Sequence, residues 1–306
     1  MQSRFRSDRR LTVRMGLTLF LLGLLYVGFV AALIVLLKSW VLVAVLVAAM
    51  FVAQFWFSDR IAMFAMRGRV VEREEYPELH AVVDRLCAIA DMPKPVVAVS
   101  AMDMPNAFAT GRNPDHAVVC VTTGLLRRLE PAELEGVLAH ELSHVAHKDV
   151  AVITVASFLG VIAGLIVRFA FYSQVFGGGR RDQNTAAVFA AVIGVSVAVY
   201  ALSFLLIRAL SRYRELAADR AAAHLTGRPS ALASALTKVS GDIARIPTED
   251  LRTAQAFNAF YFTPATGRDP GIERFFSTHP TLGQRLEQLG RISAELGEAA
   301  TPGKAG

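Results

Sequence analysis

A pair of histidines four residues apart is the part of this sequence with the clearest chemistry. His140 and His144 enclose Glu141 in the segment His140-Glu-Leu-Ser-His144, within a stretch rich in helix-forming residues. Residues four apart on a helix project from one face, so both imidazoles can bind the same metal ion. Catalytic zinc takes three protein ligands, and a Glu beside two histidines is placed to accept a proton from the attacking water. We therefore predict one Zn2+ per chain, with His140 and His144 as ligands and Glu141 as general base.

Two residues are candidates for the third ligand. His147 lies one turn beyond His144 on a similar face, and spacing alone does not exclude it. Glu215 lies four residues before Asp219 in a helical pattern, so these two carboxylates share a face. Glu215 would bind the metal, while Asp219 would hold the second ring nitrogen of a ligand histidine. The same segment, starting at Arg214, also suits a surface helix with ordinary charged neighbours.

Four apolar runs account for the hydrophobic composition. Hydrophobic residues make up 54% of the 306 positions and the mean hydropathy is +0.42, which is high for a soluble protein. The runs cover residues 16–37, 40–57, 150–167 and 186–207. A membrane helix needs about 20 residues, so we predict four transmembrane or membrane-embedded helices in two hairpins. We expect the first run to be retained, because it is longer than the apolar core of a signal peptide.

Basic residues predict the orientation of these helices. Cytoplasmic ends of membrane helices carry an excess of Lys and Arg, and arginines here precede the first run and follow the second and fourth. We therefore expect a multi-pass protein of the bacterial cytoplasmic (inner) membrane, with both termini and the His140 helix in the cytoplasm. The pI of about 9.6 then needs no nucleic-acid partner, since anionic lipid head groups attract the same residues. These residues are Arg4, Arg6, Arg9, Arg10, Arg14, Arg60, Arg67, Arg69, Arg73, Arg208, Arg212 and Arg214.

The hairpins divide the chain into membrane and polar segments. The predicted segments are the N-terminus with the first hairpin at 1–57, the first part of a cytoplasmic domain at 58–149, the second hairpin at 150–207, the second part of the domain at 208–296, and a flexible tail at 297–306. The second hairpin enters and leaves the membrane on one side. It therefore brings the segment after His144 close to the segment before Glu215, and the two motifs fit one site.

The polar segments alternate helices with short strands. β-branched runs at 96–99 and 117–121 are typical of strands, and 106–111 lies between them as another. Helical patterns cover 76–92, 124–129, 131–147, 211–225 and 230–243, and a last helix starts near Pro280. The helix that carries His140 could continue directly into the third apolar run, whose Gly160 and Gly164 also suit packing against protein. In the cytoplasm we expect Cys87 and Cys120 to be structural thiols.

Four segments together resemble one protein family. They are Asn106-Ala-Phe-Ala-Thr-Gly111, His140-Glu-Leu-Ser-His144, Ser211-Arg-Tyr-Arg-Glu215 with Asp219, and Ser277-Thr-His-Pro280 with Arg285. In this order they are similar to the membrane-bound zinc metalloproteases of the HtpX heat-shock type, related more distantly to the CAAX prenyl protease. The resemblance covers most of the chain. It implies a mostly α-helical integral membrane protein with about four membrane helices and a cytoplasmic zincin-type α+β metalloprotease domain with a small β-sheet.

The resemblance also implies roles for individual residues. The metal-site roles are His140, His144 and Glu215 as zinc ligands, Glu141 as general base and Asp219 as the residue that orients a ligand histidine. Asn106, Ala107 and Phe108 would lie in an edge strand that pairs with an extended substrate, although they equally suit one more strand of a small sheet. His279 and Arg285 would contact the substrate or the developing oxyanion, although His279 also suits a capping role.

The implied function is proteolysis at a membrane. We expect a zinc endopeptidase that cleaves misfolded or damaged membrane proteins at the cytoplasmic face, in protein quality control and the stress response. Its partners would be polypeptide substrates and the lipid bilayer. Two alternatives stay open: a processing protease for one specific, possibly lipidated substrate, and a non-catalytic membrane scaffold that contains zinc. The intact Glu141 argues against the scaffold, since a structural zinc site needs no base.

Overall fold

The computed structural model describes residues 9–38, 63–64, 66–111, 113–176, 183–243 and 279–297, with positions 41, 43–45, 47–49 and 52. This part of the chain is mostly helical and includes one four-stranded sheet. The helices are α1 (Arg9–Leu37), α2 (Pro77–Ala90), α3 (Thr123–Arg128), α4 (Pro131–Ala146), α5 (Asp149–Phe176), α6 (Gln183–Thr226), α7 (Pro229–Ile243) and α8 (Leu282–Leu296). The strands are β1 (Gly68–Val70), β2 (Val96–Ser100), β3 (Ala107–Thr110) and β4 (Val118–Thr122).

The chain divides into two compact units. One combines residues 1–11, 59–151 and 211–306, and the other combines residues 12–58 and 152–210. The first unit contains the sheet together with α2, α3, α4, α7 and α8. The second unit is formed by α1 and by most of α5 and the first part of α6. Both parts of the sequence that carry the predicted metal ligands belong to the first unit.

Strand β3 forms an edge of a mixed sheet. The strand order is β1-β2-β4-β3, with β2 and β4 parallel and the two outer pairs antiparallel. The predicted strands at 96–99, 106–111 and 117–121 are confirmed as β2, β3 and β4, whereas β1 is three residues long and its pattern is too short to be recognised from sequence. Within the described part of the chain, β3 pairs with β4 alone.

The helix that carries His140 begins and ends at local signals. Pro131 is the first residue of α4, and Glu130 and Glu133 form a capping box, in which each side chain accepts a backbone N–H of the other residue. The helix ends at Ala146, because Lys148 adopts a positive φ of 56° that a continuous helix does not allow. Of the two possibilities, an end near His147 or a direct continuation into the third apolar run, the structure shows the first, and α5 begins separately at Asp149.

Helix α4 packs against α7 at a glycine. A Cβ atom at Gly136 would lie 3.3 Å from Leu232 of α7, so the two helices approach closely there. The neighbouring Leu138 of α4 is fully buried in the core of the first unit. Cys87 on α2 and Cys120 on β4 are free thiols in the same core. Burial raises the pKa of Cys87 to about 11 and that of Cys120 to about 12, which fits the predicted structural role.

In the second unit, a small residue and a buried hydroxyl join the long helices. A Cβ atom at Gly160 of α5 would lie 3.1 Å from Cβ of Ser203 on α6, so a larger residue would hold these helices apart. The hydroxyl of Tyr26 on α1 donates a hydrogen bond of 2.5 Å to the carbonyl of Ala156 on α5. Gly160 thus packs against another helix of the protein, which is one of the two roles that the sequence suggested for the third apolar run.

Two helices of the described part are long and apolar enough to cross a membrane. Their apolar stretches are Thr12–Leu36 and Ala186–Thr226, which correspond to the first and fourth predicted runs. The third run lies in α5, whose apolar stretch Ala156–Arg168 is shorter than a membrane span. The second run, 40–57, lies largely outside the described residues.

The fourth run continues into the helix that carries Glu215. The sequence predicts an apolar run at 186–207 and a helix at 211–225, and the structure joins both in α6. The reason is local, since residues 208–210 contain neither glycine nor proline. At the other end of the chain, α8 starts at Leu282 after an N-cap at Thr281. The predicted tail at 297–306 lies outside the described residues beyond Gly297.

Glu133 joins α4 to α7 by polar contacts. Its carboxylate accepts hydrogen bonds from Ser234 Oγ (2.6 Å), Lys238 Nζ (2.8 Å) and the Glu130 N–H (2.8 Å). Burial raises the pKa of Glu133, but the bonds to Lys238 and Ser234 outweigh this effect and lower the pKa overall. The resulting stabilisation is present above the ordinary carboxyl pKa and is lost as pH falls through the lowered pKa of the folded state.

We predict that Glu133→Ala lowers the thermal unfolding temperature of the detergent-solubilised protein. The lost cap and hydrogen bonds correspond to about 1–3 kcal/mol. Thermal unfolding scans of wild type and variant should show the largest difference near pH 7 and a smaller one in acid. Glu287→Ala, which changes an exposed residue of α8, is the control and should unfold like the wild type. Equal unfolding temperatures for Glu133→Ala and wild type at pH 7 would contradict the prediction.

Candidate metal centre

His140, His144 and Glu215 bring their metal-binding atoms together. These atoms all lie within 4.8 Å of one another, and among the described residues they form the group of donors able to hold a metal ion. Nε2 of His140 and Nε2 of His144 are 3.2 Å apart. The Glu215 carboxylate lies 3.6 Å from Nε2 of His140 and 3.5 Å from Nε2 of His144. The structure thus places two candidate ligands from α4 and one from α6 in a single buried cluster.

Asp219 holds the second nitrogen of His140. Its Oδ1 lies 2.9 Å from Nδ1 of His140, so the ring donates its Nδ1–H there and directs the Nε2 lone pair at the cluster. Asp219 is itself held by Arg285, whose Nε and Nη2 donate to the two carboxylate oxygens at 2.7 and 2.6 Å. Nη2 of Arg285 is 3.4 Å from Nδ1 of His140, and the shorter contact with Asp219 decides which ring nitrogen of His140 carries the proton.

Asp149 contacts the second ring nitrogen of His144. Oδ2 of Asp149 lies 2.7 Å from Nδ1 of His144, and the same oxygen is 3.1 Å from Nε of Arg214. Burial raises the pKa of Asp149, but Arg214 and His144 outweigh this effect and lower it to about 2. Sequence reasoning missed Asp149. The sequence signal for Asp149 is a carboxylate five residues after His144. Such a carboxylate can reach the imidazole ring if the helix ends between the two residues.

The buried charges of this cluster favour a cation. Among the described residues, the cluster and the side chains around it include four buried carboxylates and two buried guanidinium groups. These are Glu141, Asp149, Glu215, Asp219, Arg214 and Arg285. With all four carboxylates ionised and the histidines neutral, two negative charges remain, and a divalent cation would balance them. Burial alone would lower the pKa of His140, but hydrogen bonds to Asp219 and Glu215 raise it to about 9. The site therefore stabilises positive charge at the ligand positions.

Glu215 keeps its charge in this buried position. Burial raises its pKa, but the neighbouring His279, His140 and His144 outweigh that effect and hold the pKa well below its ordinary value. Nδ1 of His279 lies 3.1 Å from the Glu215 carboxylate. An ionised carboxylate between imidazoles is the form that binds a metal ion.

Glu141 lies between the metal cluster and the edge of the sheet. The residue is buried, and burial raises the pKa of its carboxyl. The backbone N–H of Ala109 in β3 is close enough to this carboxylate to lower its pKa, although burial has the larger effect. The carbonyl oxygen of Asn106 accepts a hydrogen bond from the N–H of Thr122 on β4. Because the backbone N–H and C=O groups of successive residues point to opposite sides of a strand, the N–H and C=O groups of Ala107 and Ala109 point away from β4. An acid-base group therefore lies at the outer edge of β3.

His147, the other candidate for the third ligand, lies apart from the cluster. It is exposed at the C-terminal end of α4, and its Nδ1 lies 2.8 Å from the carbonyl oxygen of Ser143. The donors close enough to share one ion among the described residues are His140, His144 and Glu215. The geometry therefore favours Glu215 over His147.

The remaining predicted site residues are buried near this cluster or in β3. Asn106 and Phe108 have buried side chains, and the backbone N–H of Asn106 donates to Thr122 Oγ1 at 2.9 Å. His279 lies next to Glu215, and Arg285 is engaged with Asp219. Arg285 therefore has a positioning contact that sequence reasoning did not assign. The predicted substrate contacts of Asn106, Phe108, His279 and Arg285 stay predictions.

Comparisons with known proteins identify a peptidase family. The model of peptidase family M48 matches residues 73–293, a range that includes α4, α6 and the strands β2, β3 and β4. Protease HtpX homolog 1 from Streptomyces coelicolor is 88% identical over 305 residues, covering 100% of both chains. A Protease HtpX homolog from Moorella thermoacetica is 52% identical and covers 97% of this chain and 99% of its own length. A Protease HtpX homolog from Pyrococcus furiosus is 41% identical over 79% of this chain and 83% of its own.

The fold also resembles a solved structure. Ste24p from S. mikatae superposes with a TM-score of 0.51 at 18% sequence identity, over 92% of this chain and 67% of that chain. At this identity the likeness concerns the fold alone. The family match and the identities to HtpX homologues lead to the assignment, and the buried His-His-Glu cluster agrees with it. The chain belongs to peptidase family M48, as a membrane metallopeptidase.

Proposed function

We propose that the chain is a zinc endopeptidase that cleaves misfolded or damaged membrane proteins at the cytoplasmic face of the bacterial cytoplasmic membrane. The observation that carries the proposal is the position of Glu141. Its carboxylate contacts the N–H of Ala109 at the edge of β3 and lies beside the two histidines of the metal cluster. A metal site, an acid-base group and a backbone edge able to pair with a peptide are thus combined in one place.

The donor set fits Zn2+. Two imidazole nitrogens and one carboxylate are a ligand set of catalytic zinc sites, which leave the fourth position for water or substrate. His140, His144 and Glu215 would hold one ion per chain, and Asp219 would orient His140. Bound there, Zn2+ supplies Lewis acidity and lowers the pKa of a water molecule to about 7.

An extended substrate would add to β3 as a further strand. In this arrangement the backbone groups of Ala107 pair with the substrate, while Asn106 and Phe108 hold β3 in the sheet. Backbone pairing positions a peptide without reading its side chains. This mode of binding suits a protease that acts on many unrelated, unfolded segments. It also places the substrate beside Glu141, which contacts the same edge.

Glu141 would move the proton during hydrolysis. Its carboxylate accepts a proton from water as the water oxygen attacks the scissile carbonyl carbon, and then donates that proton to the leaving amine nitrogen as the C–N bond breaks. The pKa raised by burial suits both steps, because a carboxyl group with a pKa closer to neutrality both accepts and returns a proton. His279, beside Glu215, would stabilise the negative charge on the carbonyl oxygen, and Arg285 would act through Asp219.

The long apolar helices support action at a membrane. Phe20 and Val27 on α1 are 66% and 70% exposed, and Leu205 on α6 is 58% exposed. Removing such apolar surface from water is worth about 25 cal/mol per Å², so these faces favour lipid. The distribution of arginines along the sequence favours a cytoplasmic active site and cytoplasmic termini in a multi-pass protein with four spans. A protease anchored in this way shares the membrane with its substrates.

We predict that Glu215→Ala loses bound zinc, whereas His147→Ala keeps it. Glu215 supplies one of three ligands, and its removal also takes away the negative charge that lies next to His140, His144 and His279. Zinc is measured by mass spectrometry of the purified, detergent-solubilised protein after dialysis, with the wild type expected to hold one ion per chain. His147→Ala is the matched control. Retention of one zinc ion by Glu215→Ala, together with loss from His147→Ala, would reverse the assignment of the third ligand.

We predict that Glu141→Gln binds one zinc ion but cleaves casein at least about 100-fold more slowly than the wild type, since general acid-base catalysis contributes factors of this size. The amide keeps the size of the side chain but cannot accept the proton. Chelation of zinc should abolish wild-type cleavage, and added zinc should restore it. Glu287→Ala should cleave normally. Full cleavage by Glu141→Gln would remove Glu141 from the mechanism, and a wild type that binds zinc without cleaving any substrate would favour the scaffold.

We predict that N-methylation of a substrate amide next to the scissile bond raises KM. A lost backbone hydrogen bond costs about 1 kcal/mol, so KM should rise about fivefold if the peptide pairs with β3. N-methyl groups at successive positions of one fluorogenic peptide should weaken binding at every second residue, because alternate amides face the strand. Uniform effects along the peptide would argue against strand pairing.

A further inference from the structure

Each ligand histidine is backed by a carboxylate, and each carboxylate is backed by an arginine. His140 contacts Asp219, which is held by Arg285. His144 contacts Asp149, which is held by Arg214. The resemblance assigns an orienting role to Asp219, whereas no role has been assigned to the pair on His144.

The backbone around Asp149 is shaped to bring its carboxylate back to α4. α4 ends at Ala146, and Lys148 takes a positive φ of 56°, which is uncommon for a residue with a side chain. In this turn the N–H of His147 bonds to the Ser143 carbonyl and the N–H of Lys148 bonds to the Val145 carbonyl. Asp149 follows as the first residue of α5 and is buried at 4% exposure. A continuous helix would place residue 149 on a different face from His144.

Arg214 connects this turn to the third ligand. It precedes Glu215 on α6, is buried at 9% exposure, and its Nε lies 3.1 Å from Asp149 Oδ2. The same oxygen faces Nδ1 of His144 at 2.7 Å. One segment of α6 therefore supplies a metal-binding carboxylate and also holds the carboxylate that supports a ligand on α4.

We propose that Asp149 and Arg214 are positioning residues for the metal, in which the Asp149 carboxylate fixes the Nδ1–H form and the ring orientation of His144. With Nδ1–H donated to Asp149, the lone pair of Nε2 faces His140 and Glu215. The negative charge of Asp149 also makes the imidazole a stronger donor to a cation. Arg214 keeps the Asp149 carboxylate in place, and its positive charge offsets the free-energy cost of burying the negative charge of that carboxylate. The inference rests on the proposed function, since it concerns how tightly the zinc ion is held.

The test compares zinc affinity in matched variants of the full-length protein in detergent. Zinc dissociation constants are measured by competition with a chromophoric chelator, and the absorption spectrum of the Co2+ form reports the ligand geometry. Asp149→Asn keeps the size of the side chain and removes its charge. Asp84→Asn makes the same change in a half-buried Asp outside the metal cluster, which pairs with Lys94 and Arg73. The unfolding temperature of the metal-free variants separates loss of structure from loss of affinity.

We expect Asp149→Asn to bind zinc about 10–100-fold more weakly than the wild type, as for other supporting residues of metal ligands. Its Co2+ spectrum should shift, Arg214→Gln should show a smaller loss of affinity, and Asp149→Glu should recover part of it. Asp84→Asn should match the wild type. If Asp149→Asn does not fold, the affinity of Arg214→Gln decides the question, with a loss supporting the proposal.

Two results would overturn the proposal. Zinc affinities of Asp149→Asn and Arg214→Gln within twofold of the wild type would overturn this inference and leave the proposed function in place. A wild type that binds no zinc would overturn the proposed function and this inference together. Equal losses of zinc affinity in Asp149→Asn and Asp84→Asn would also count against it, since the effect would then follow from net charge alone.

Discussion

The ion pair between Arg285 and Asp219 is the interaction on which the rest of the site depends. Arg285 is among the largest fully buried side chains of the described residues, and both of its contacts with Asp219 are shorter than 2.8 Å. Through Asp219 it orients His140, and it also lies 3.8 Å from the Glu215 carboxylate. The pair thus joins α8, α6 and α4, which are far apart in the sequence, around one set of ligands.

Burial of so many charges is unfavourable unless they compensate one another. An isolated buried ion costs several kcal/mol, and a buried pair recovers this cost only with good geometry and additional hydrogen bonds. The pair of Asp219 and Arg285 meets this condition with two hydrogen bonds, and Asp149 has His144 at 2.7 Å and Arg214 at 3.1 Å as partners. The negative charge that remains lies at Glu215 and Glu141. These are the positions where a cation and a transferable proton are required in peptide hydrolysis.

Local sequence signals position α4, the helix that carries His140 and His144. Pro131 and the capping box of Glu130 and Glu133 begin α4, and the close approach at Gly136 sets its distance from α7. The spacing of His140 and His144 then follows from helical geometry. For these reasons the shared face of His140 and His144, with Glu141 beside them, and the strands β2, β3 and β4 could all be predicted from residue types and periodicity. The approach of Glu215 to the histidines could not be decided from periodicity alone, because its contact with α4 spans about 70 residues.

The sequence by itself determined the elements and the chemistry that each could contribute. Helix periodicity placed Glu215 with Asp219 and His140 with His144 on shared faces, and these relations are local. Only the tertiary structure decided that Glu215 rather than His147 completes the cluster, that Glu141 contacts β3, and that Arg285 serves Asp219. Asp149 is the most informative case, since it lies five residues from His144 and still escaped sequence reasoning. The contact between Asp149 and His144 requires a left-handed backbone conformation at Lys148. A lysine in the sequence does not indicate this conformation, which the surrounding packing must impose.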